Sequence, residues 1–171
     1  TSPRVSPDGK WIAFTGRQFG NGDIFIIPSQ GGEVRQISFH SGYDEVTSWS
    51  WDSRYIYFNS SREGQVSGYK VSIQGETAKR VFGDYFFHYD HNLVEHPSTG
   101  EIFFNNTWES SNQVARKRYK GPFNPDIQSY NFKTGKHKQY TTWEGKDFGA
   151  TINKQGTIFF ISDELNGEYN L

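Results

Sequence analysis

The 171 residues carry 18 basic and 19 acidic side chains, a formal net charge of −1, and so offer no electrostatic footprint for nucleic acid. Cysteine is absent, which excludes both a disulfide framework and a thiolate metal site and leaves the redox compartment open. Aromatic residues make up 18% of the chain, and no apolar run approaches the roughly 18 residues that span a bilayer, so an all-β domain with no membrane-spanning segment is expected.

Taken in chain order, the first legible element is the turn and strand SPDGKWIAF, Ser6 to Phe14. A related stretch, SWDSRYIYF, returns at Ser50 to Phe58, followed by HPSTGEIFF at His96 to Phe104 and INKQGTIFF at Ile152 to Phe160. The anchor isoleucines, Ile12, Ile56, Ile102 and Ile158, are spaced by 44, 46 and 56 residues, near the period of a four-stranded propeller blade. Each copy is followed by a second strand, beginning at Asp23, Gly68, Asp126 and Glu168. After the first three of these come a turn and a polar strand, GGEVRQI, GETAKRV and GKHKQYT. EVTSWS from Glu45, YFFHYDHNLV from Tyr85 and DFGATI from Asp147 then lead into the next copy.

Each unit therefore reads as four strands, with blades at about 1–44, 45–84, 85–145 and a partial 146–171. Gly9, Gly100 and Gly156 supply the left-handed residue of the tight hairpin turns, whereas Ser53 at the second turn predicts a looser turn or one of another type. The strand after each turn is apolar on both faces, as in a blade packed between two others. The expected fold is an incomplete β-propeller of about three and a half four-stranded blades. Since open blade faces forfeit burial and arrays need capped ends, a continuation beyond Leu171 is expected, and the missing initiator methionine fits a chain cut from something larger.

The third unit is interrupted by TWESSNQVARKRYKGPFNP, a loop of roughly twenty residues where the first unit needs about eight. Arg116, Lys117, Arg118 and Lys120, with Trp108, Tyr119 and Phe123 around them, could hold a carboxylate or an acidic partner; the plainer alternative is a solvated basic loop. His88, Asp90 and His91 form the dense cluster of metal-ligand types, but alternation along a strand puts His91 on the opposite face, which favours a structural role and no metal. GQVSG has its serine misplaced for a nucleophile elbow, and GRQFGNG precedes a strand rather than a phosphate-binding helix. No catalytic residue and no cofactor are assigned.

SPDGKWIAFTG and GDIFIIPSQGGEVRQISFHSGYDEVTSWSWDS resemble the repeat shared by the propellers of tricorn-type peptidases, the TolB family and prolyl-oligopeptidase relatives. ARKRYKGPFNPDIQSYNFKTGKHKQYTTWEGKDFGATINKQGTIFFISD is similar to a blade of tricorn-like serine peptidases, with Asp126, Ile127, Tyr130, Asn131, Thr134, Gly135 and Lys136 in the motif positions. Gln128 and Ser53 depart from that pattern. The resemblance implies the amino-terminal, six-bladed propeller of a multidomain serine peptidase whose catalytic serine and histidine belong to later domains. The propeller would gate peptides passing to or from the buried site. Channel-lining candidates are then Glu45, Thr47, His88, Asp90, Asp147 and Ala150, with Arg116, Lys117 and Arg118 meeting a peptide carboxylate. Implied partners are peptides, downstream domains of the same chain and a second copy of the protein. The resemblance tilts the unknown compartment toward the periplasm. A TolB-like interaction propeller, a prolyl-oligopeptidase propeller and, more weakly, a carbohydrate binder are the alternatives; the residues following Leu171 would separate the first two from the tricorn reading and from each other.

Overall fold

The computed structural model describes residues 1–83, 89–107 and 119–171, so His88 and the Arg116, Lys117 and Arg118 cluster lie outside the described residues. The chain forms two units, Thr1–His88 and Tyr89–Leu171. All regular structure among the described residues is β-strand.

In the first unit β1 (Arg4–Val5), β2 (Trp11–Gly16), β3 (Asp23–Pro28) and β4 (Arg35–Gln36) form one antiparallel sheet in chain order. A second sheet repeats the arrangement with β5 (Asp44–Trp49), β6 (Tyr55–Ser60), β7 (Ser67–Ser72) and β8 (Lys79–Arg80). Ala13, Ile24, Ile26, Val46, Ile56, Phe58 and Tyr69 join the two sheets in one core. Removing each such large side chain from water stabilises the unit by about 1.5–3 kcal/mol. Five of the six residues of β6 are buried, as its double-sided apolar sequence requires.

The turn before β2 and the turn before β6 are the same turn, contrary to the expectation from Ser53. Gly9 N–H donates to Ser6 O at 2.9 Å, and Ser53 N–H donates to Ser50 O at 2.9 Å. The Ser6 and Ser50 hydroxyls each donate to the aspartate two residues on, at 2.6 and 2.7 Å. Ser53 accepts φ of +60°, close to the +71° of Gly9. The cost of a side chain there is offset by a bond that glycine could not make: the Ser53 hydroxyl accepts the Asp8 N–H of the preceding turn at 3.1 Å.

The second unit contains β9 (His91–Glu95), β10 (Ile102–Asn105), β11 (Gln128–Asn131) and β12 (Lys136–Gln139) in one antiparallel sheet, and β13 (Asp147–Ile152) paired with β14 (Ile158–Ser162). Phe103, Ile127, Ala150 and Ile152 form a core between them. The strand expected from Glu168 is reduced to a single bridge, Ser162 with Asn170. Asn166 and Gly167 both have positive φ, at 60° and 67°, so the chain turns there and only Asn170 reaches the edge of β14.

The same polar clamp joins successive sheets in both units. Thr15, three residues after Ile12, accepts the Val46 N–H of β5 at 3.0 Å through its hydroxyl. Asn105, three residues after Ile102, accepts the Gly149 N–H of β13 at 3.2 Å. Its amide also donates to Asp126 O at 2.7 Å and Asp147 O at 3.1 Å. The clamped strands are irregular: register shifts lie between Val46 and Ser48 in β5 and between Phe148 and Thr151 in β13. A bulge frees the N–H that the clamp then satisfies.

Candidate functional site

On β5, Asp44 and Val46 are buried while Glu45 and Thr47 stay partly exposed, because alternation turns them to the other face. The segment leading into β2 lies alongside. Ser2 donates to Glu45 Oε1 at 2.9 Å, Arg4 Nε donates to the Thr47 carbonyl at 2.9 Å, and Trp49 Nε1 donates to the Arg4 carbonyl at 2.9 Å. Glu45 and Thr47 thus belong to one polar strip with Ser2 and Arg4.

Asp90, just before β9, is completely buried, and so is His91, whose Nδ1 lies 2.5 Å from the Tyr89 carbonyl oxygen. Asp147, the first residue of β13, is 2% exposed and Ala150 is buried. The Asp147 carboxyl is raised above the ordinary carboxylate range, first by burial and then by the charges of Glu164 and Asp163, against hydrogen bonds from Ser162 and Thr141. Asp126 is raised as well, by burial and by Asp147, while Thr141 and Gln139 bond to it. Among the described residues no three of His, Asp and Glu converge in a metal-binding arrangement.

The first unit builds the corresponding junction around a cation. Asp44 is completely buried and pairs with Arg62 Nη2 at 2.7 Å. The guanidinium lies over the rings of Tyr69 and Phe58, 4.8 and 5.3 Å from their centroids, and Arg62 Nε donates to the Ser60 hydroxyl at 2.9 Å. Arg62 is absent from the residues that sequence reasoning singled out. The signal was present in the repeat register: Asp44 pairs with Ser60 as Asp147 pairs with Ser162, so Arg62 and Glu164 hold equivalent positions.

The carboxyl end of the long third-unit loop is tied to the segment before β13. Asn124 Nδ2 donates to the carbonyls of Tyr119 at 2.6 Å and Glu144 at 2.5 Å, and Lys120 Nζ pairs with Glu144 at 3.2 Å. Two cavities flank this anchorage. One, of about 550 Å³, is walled by Tyr89, Thr107, Phe123, Asn124 and Gln128. The other, of about 290 Å³, lies against Trp143, Asp163 and Glu164.

Meandering four-stranded antiparallel sheets, clamped within each unit through the second strand of one sheet to the first strand of the next, are those of a β-propeller; the described residues provide three four-stranded blades and two strands of a fourth. It belongs to the family of tricorn protease N-terminal beta propeller domains, which it matches over residues 1–171. The chain superimposes on the tricorn protease with a TM-score of 0.73 at 17% identity, covering 98% of this chain and 16% of that one. On a TolB-type protein from Agrobacterium tumefaciens the TM-score is 0.65 at 21% identity, over 92% of this chain and 55% of that one. At such identities the likeness concerns fold alone. An uncharacterized protein of Agrobacterium fabrum is 31% identical across 54% of this chain, which spans 37% of its length. Among the described residues no helix is long and apolar enough to cross a membrane.

Proposed function

We propose that this chain is the non-catalytic propeller portion of a tricorn-like serine peptidase and guides peptides toward a catalytic domain lying elsewhere in the protein. Membership of the tricorn propeller family over the whole chain is the observation that carries this reading. The polar strip of Ser2, Arg4, Glu45 and Thr47 supports it, since side chains of this kind on the first strands of blades can pass an extended peptide without trapping it. Selection would be steric and electrostatic: an unfolded peptide threads past the inner strands and a folded protein does not. Arg116, Lys117 and Arg118 would meet the peptide carboxylate at the third-unit loop, as charge-assisted partners. Asp90 and Asp147, being buried, would act by shaping the inner strands rather than by touching the peptide.

Narrowing the path tests the proposal. Thr47→Trp in the protein carrying this chain should slow turnover of a peptide of twenty residues several-fold and leave a tripeptide substrate unaffected. Replacing Arg116, Lys117 and Arg118 together by alanine should weaken turnover of peptides with a free carboxyl terminus more than that of their amides. Identical length and carboxylate dependence in parent and variants would refute the guiding role.

A further inference from the structure

The cavity of about 290 Å³ beside Trp143 has the composition of a cation's binding place. Asp163 is 3% exposed, and its Oδ1 accepts the Trp143 indole N–H at 2.9 Å and the Lys146 backbone N–H at 2.8 Å. A buried carboxylate is thereby fixed edge-on to an indole. Gly145 makes this possible, because a Cβ at that position would fall 2.1 Å from Asp163 Oδ1. The exposed carboxylate of Glu164 adds a second negative charge to the same wall.

Two independent observations say what that wall attracts. The Lys120 ammonium already lies 4.8 Å from the centre of the Trp143 ring, tethered to Glu144. The other is the internal repeat, in which the position of Glu164 is occupied by Arg62, paired with a buried aspartate and stacked over two aromatic rings. The hydroxyl turns match: Arg62 N–H donates to the Ser60 hydroxyl at 3.3 Å, and Glu164 N–H donates to the Ser162 hydroxyl at 3.2 Å. In the second unit that position carries the carboxylate of Glu164, which lines the cavity.

Building on the reading that this chain handles peptides, we infer that the cavity is a subsite for an arginine side chain of a bound peptide, held by the Trp143 ring and the carboxylates of Asp163 and Glu164. Lys120 occupies its mouth and competes with the incoming guanidinium. With roughly 30 Å³ per water molecule, the space is about ten waters wide in volume, ample for the planar head group and its methylenes.

Amide chemical shifts of the isotopically labelled protein carrying this chain, titrated with acetyl-Ala-Arg-Ala-amide and its norleucine and glutamate counterparts, test the inference. The arginine peptide should shift the Trp143 indole N–H and the Gly145 and Gly167 amides and bind more tightly than the other two. Glu164→Gln, an exposed substitution that leaves the fold alone, should weaken it about two- to five-fold, and Lys120→Met should tighten it by a similar factor. Equal affinity for the arginine and norleucine peptides removes the subsite and leaves peptide guidance standing. Arginine-dependent shifts at Trp143, in a protein whose turnover ignores peptide length, would keep the subsite and remove the guidance. Shifts confined to other residues, or affinity indifferent to both substitutions, would overturn the inference.

Discussion

In the first unit Asp44, at the head of β5, faces Arg62; in the second, Asp147, at the head of β13, has Glu164 at the matching loop position. Strand register, hydroxyl turn and inter-sheet clamp are the same at both junctions, yet one sets Arg62 beside Asp44 and Asp23, while in the other Glu164 joins Asp126, Asp147 and Asp163. The difference teaches that this repeat fixes its geometry through backbone-directed polar bonds, which tolerate a change of charge two residues past the strand. Individual character can therefore reside in the loops without loss of fold.

The largest way to break the comparison is Arg62→Met. It strands a fully buried carboxylate, and denaturant unfolding should register a loss of about 3–5 kcal/mol, most of it recovered by adding Asp44→Asn. A loss below about 1 kcal/mol would mean that Arg62 is ornamental. The clamps come next. Asn105→Leu removes one accepted and two donated bonds at a buried site and should cost about 2–4 kcal/mol, against about 1–2 kcal/mol for Thr15→Val, which orphans the Val46 N–H alone. Equal costs would show that the two clamps are not graded by their bond number.

Charge and pH sharpen the contrast at lower amplitude. Asp126 and Asp147 are both raised from the ordinary 3.8, so the folded chain holds their protons more tightly than the unfolded one. Their contribution to stability is therefore greatest in acid, declines as pH rises past 3.8, and levels off above the raised folded values. Asp8 and Asp52 are lowered, the first chiefly by its bond from Ser6, the second by bonds from Ser50 and Arg54 that outweigh burial. Those two contribute in the opposite sense, fully present above 3.8 and lost as pH falls through the lowered values. Glu164→Arg should copy the first junction into the second, stabilise it by about 1 kcal/mol near neutrality and flatten the acid preference; carboxyl carbon shifts of Asp147 would show its pKa descending. The smallest effect belongs to the second turn. Ser53→Ala keeps the positive φ and loses the bond to Asp8 N–H, for a cost of about 1 kcal/mol, while Ser53→Gly should stay within about 0.5 kcal/mol of the parent in thermal unfolding.

The blade repeat was legible in the sequence because its turn and its doubly apolar strand are local patterns, and β2, β6, β10 and β14 lie where those patterns recur. Ser53 misled because the sequence displays the missing glycine and conceals the neighbouring turn that makes serine worth keeping. Glu45 and Thr47 could be placed on one strand by alternation, whereas the burial of Asp90 and Asp147 depends on packing from elements distant in sequence. Arg62 and Trp143 escaped notice for the same reason, since their partners lie 18 and 20 residues away.

By itself the amino-acid order determined the β class, the four copies and their spacing, which follow from short-range periodicity and turn chemistry, while the propeller family was legible only as a resemblance of its motifs. Only the tertiary structure decided which polar residues became clamps, which aspartates were buried, and that one junction holds a guanidinium where the other holds a carboxylate. Those outcomes turn on desolvation and on pairing between strands far apart in the chain, and neither quantity exists until the sheets have packed.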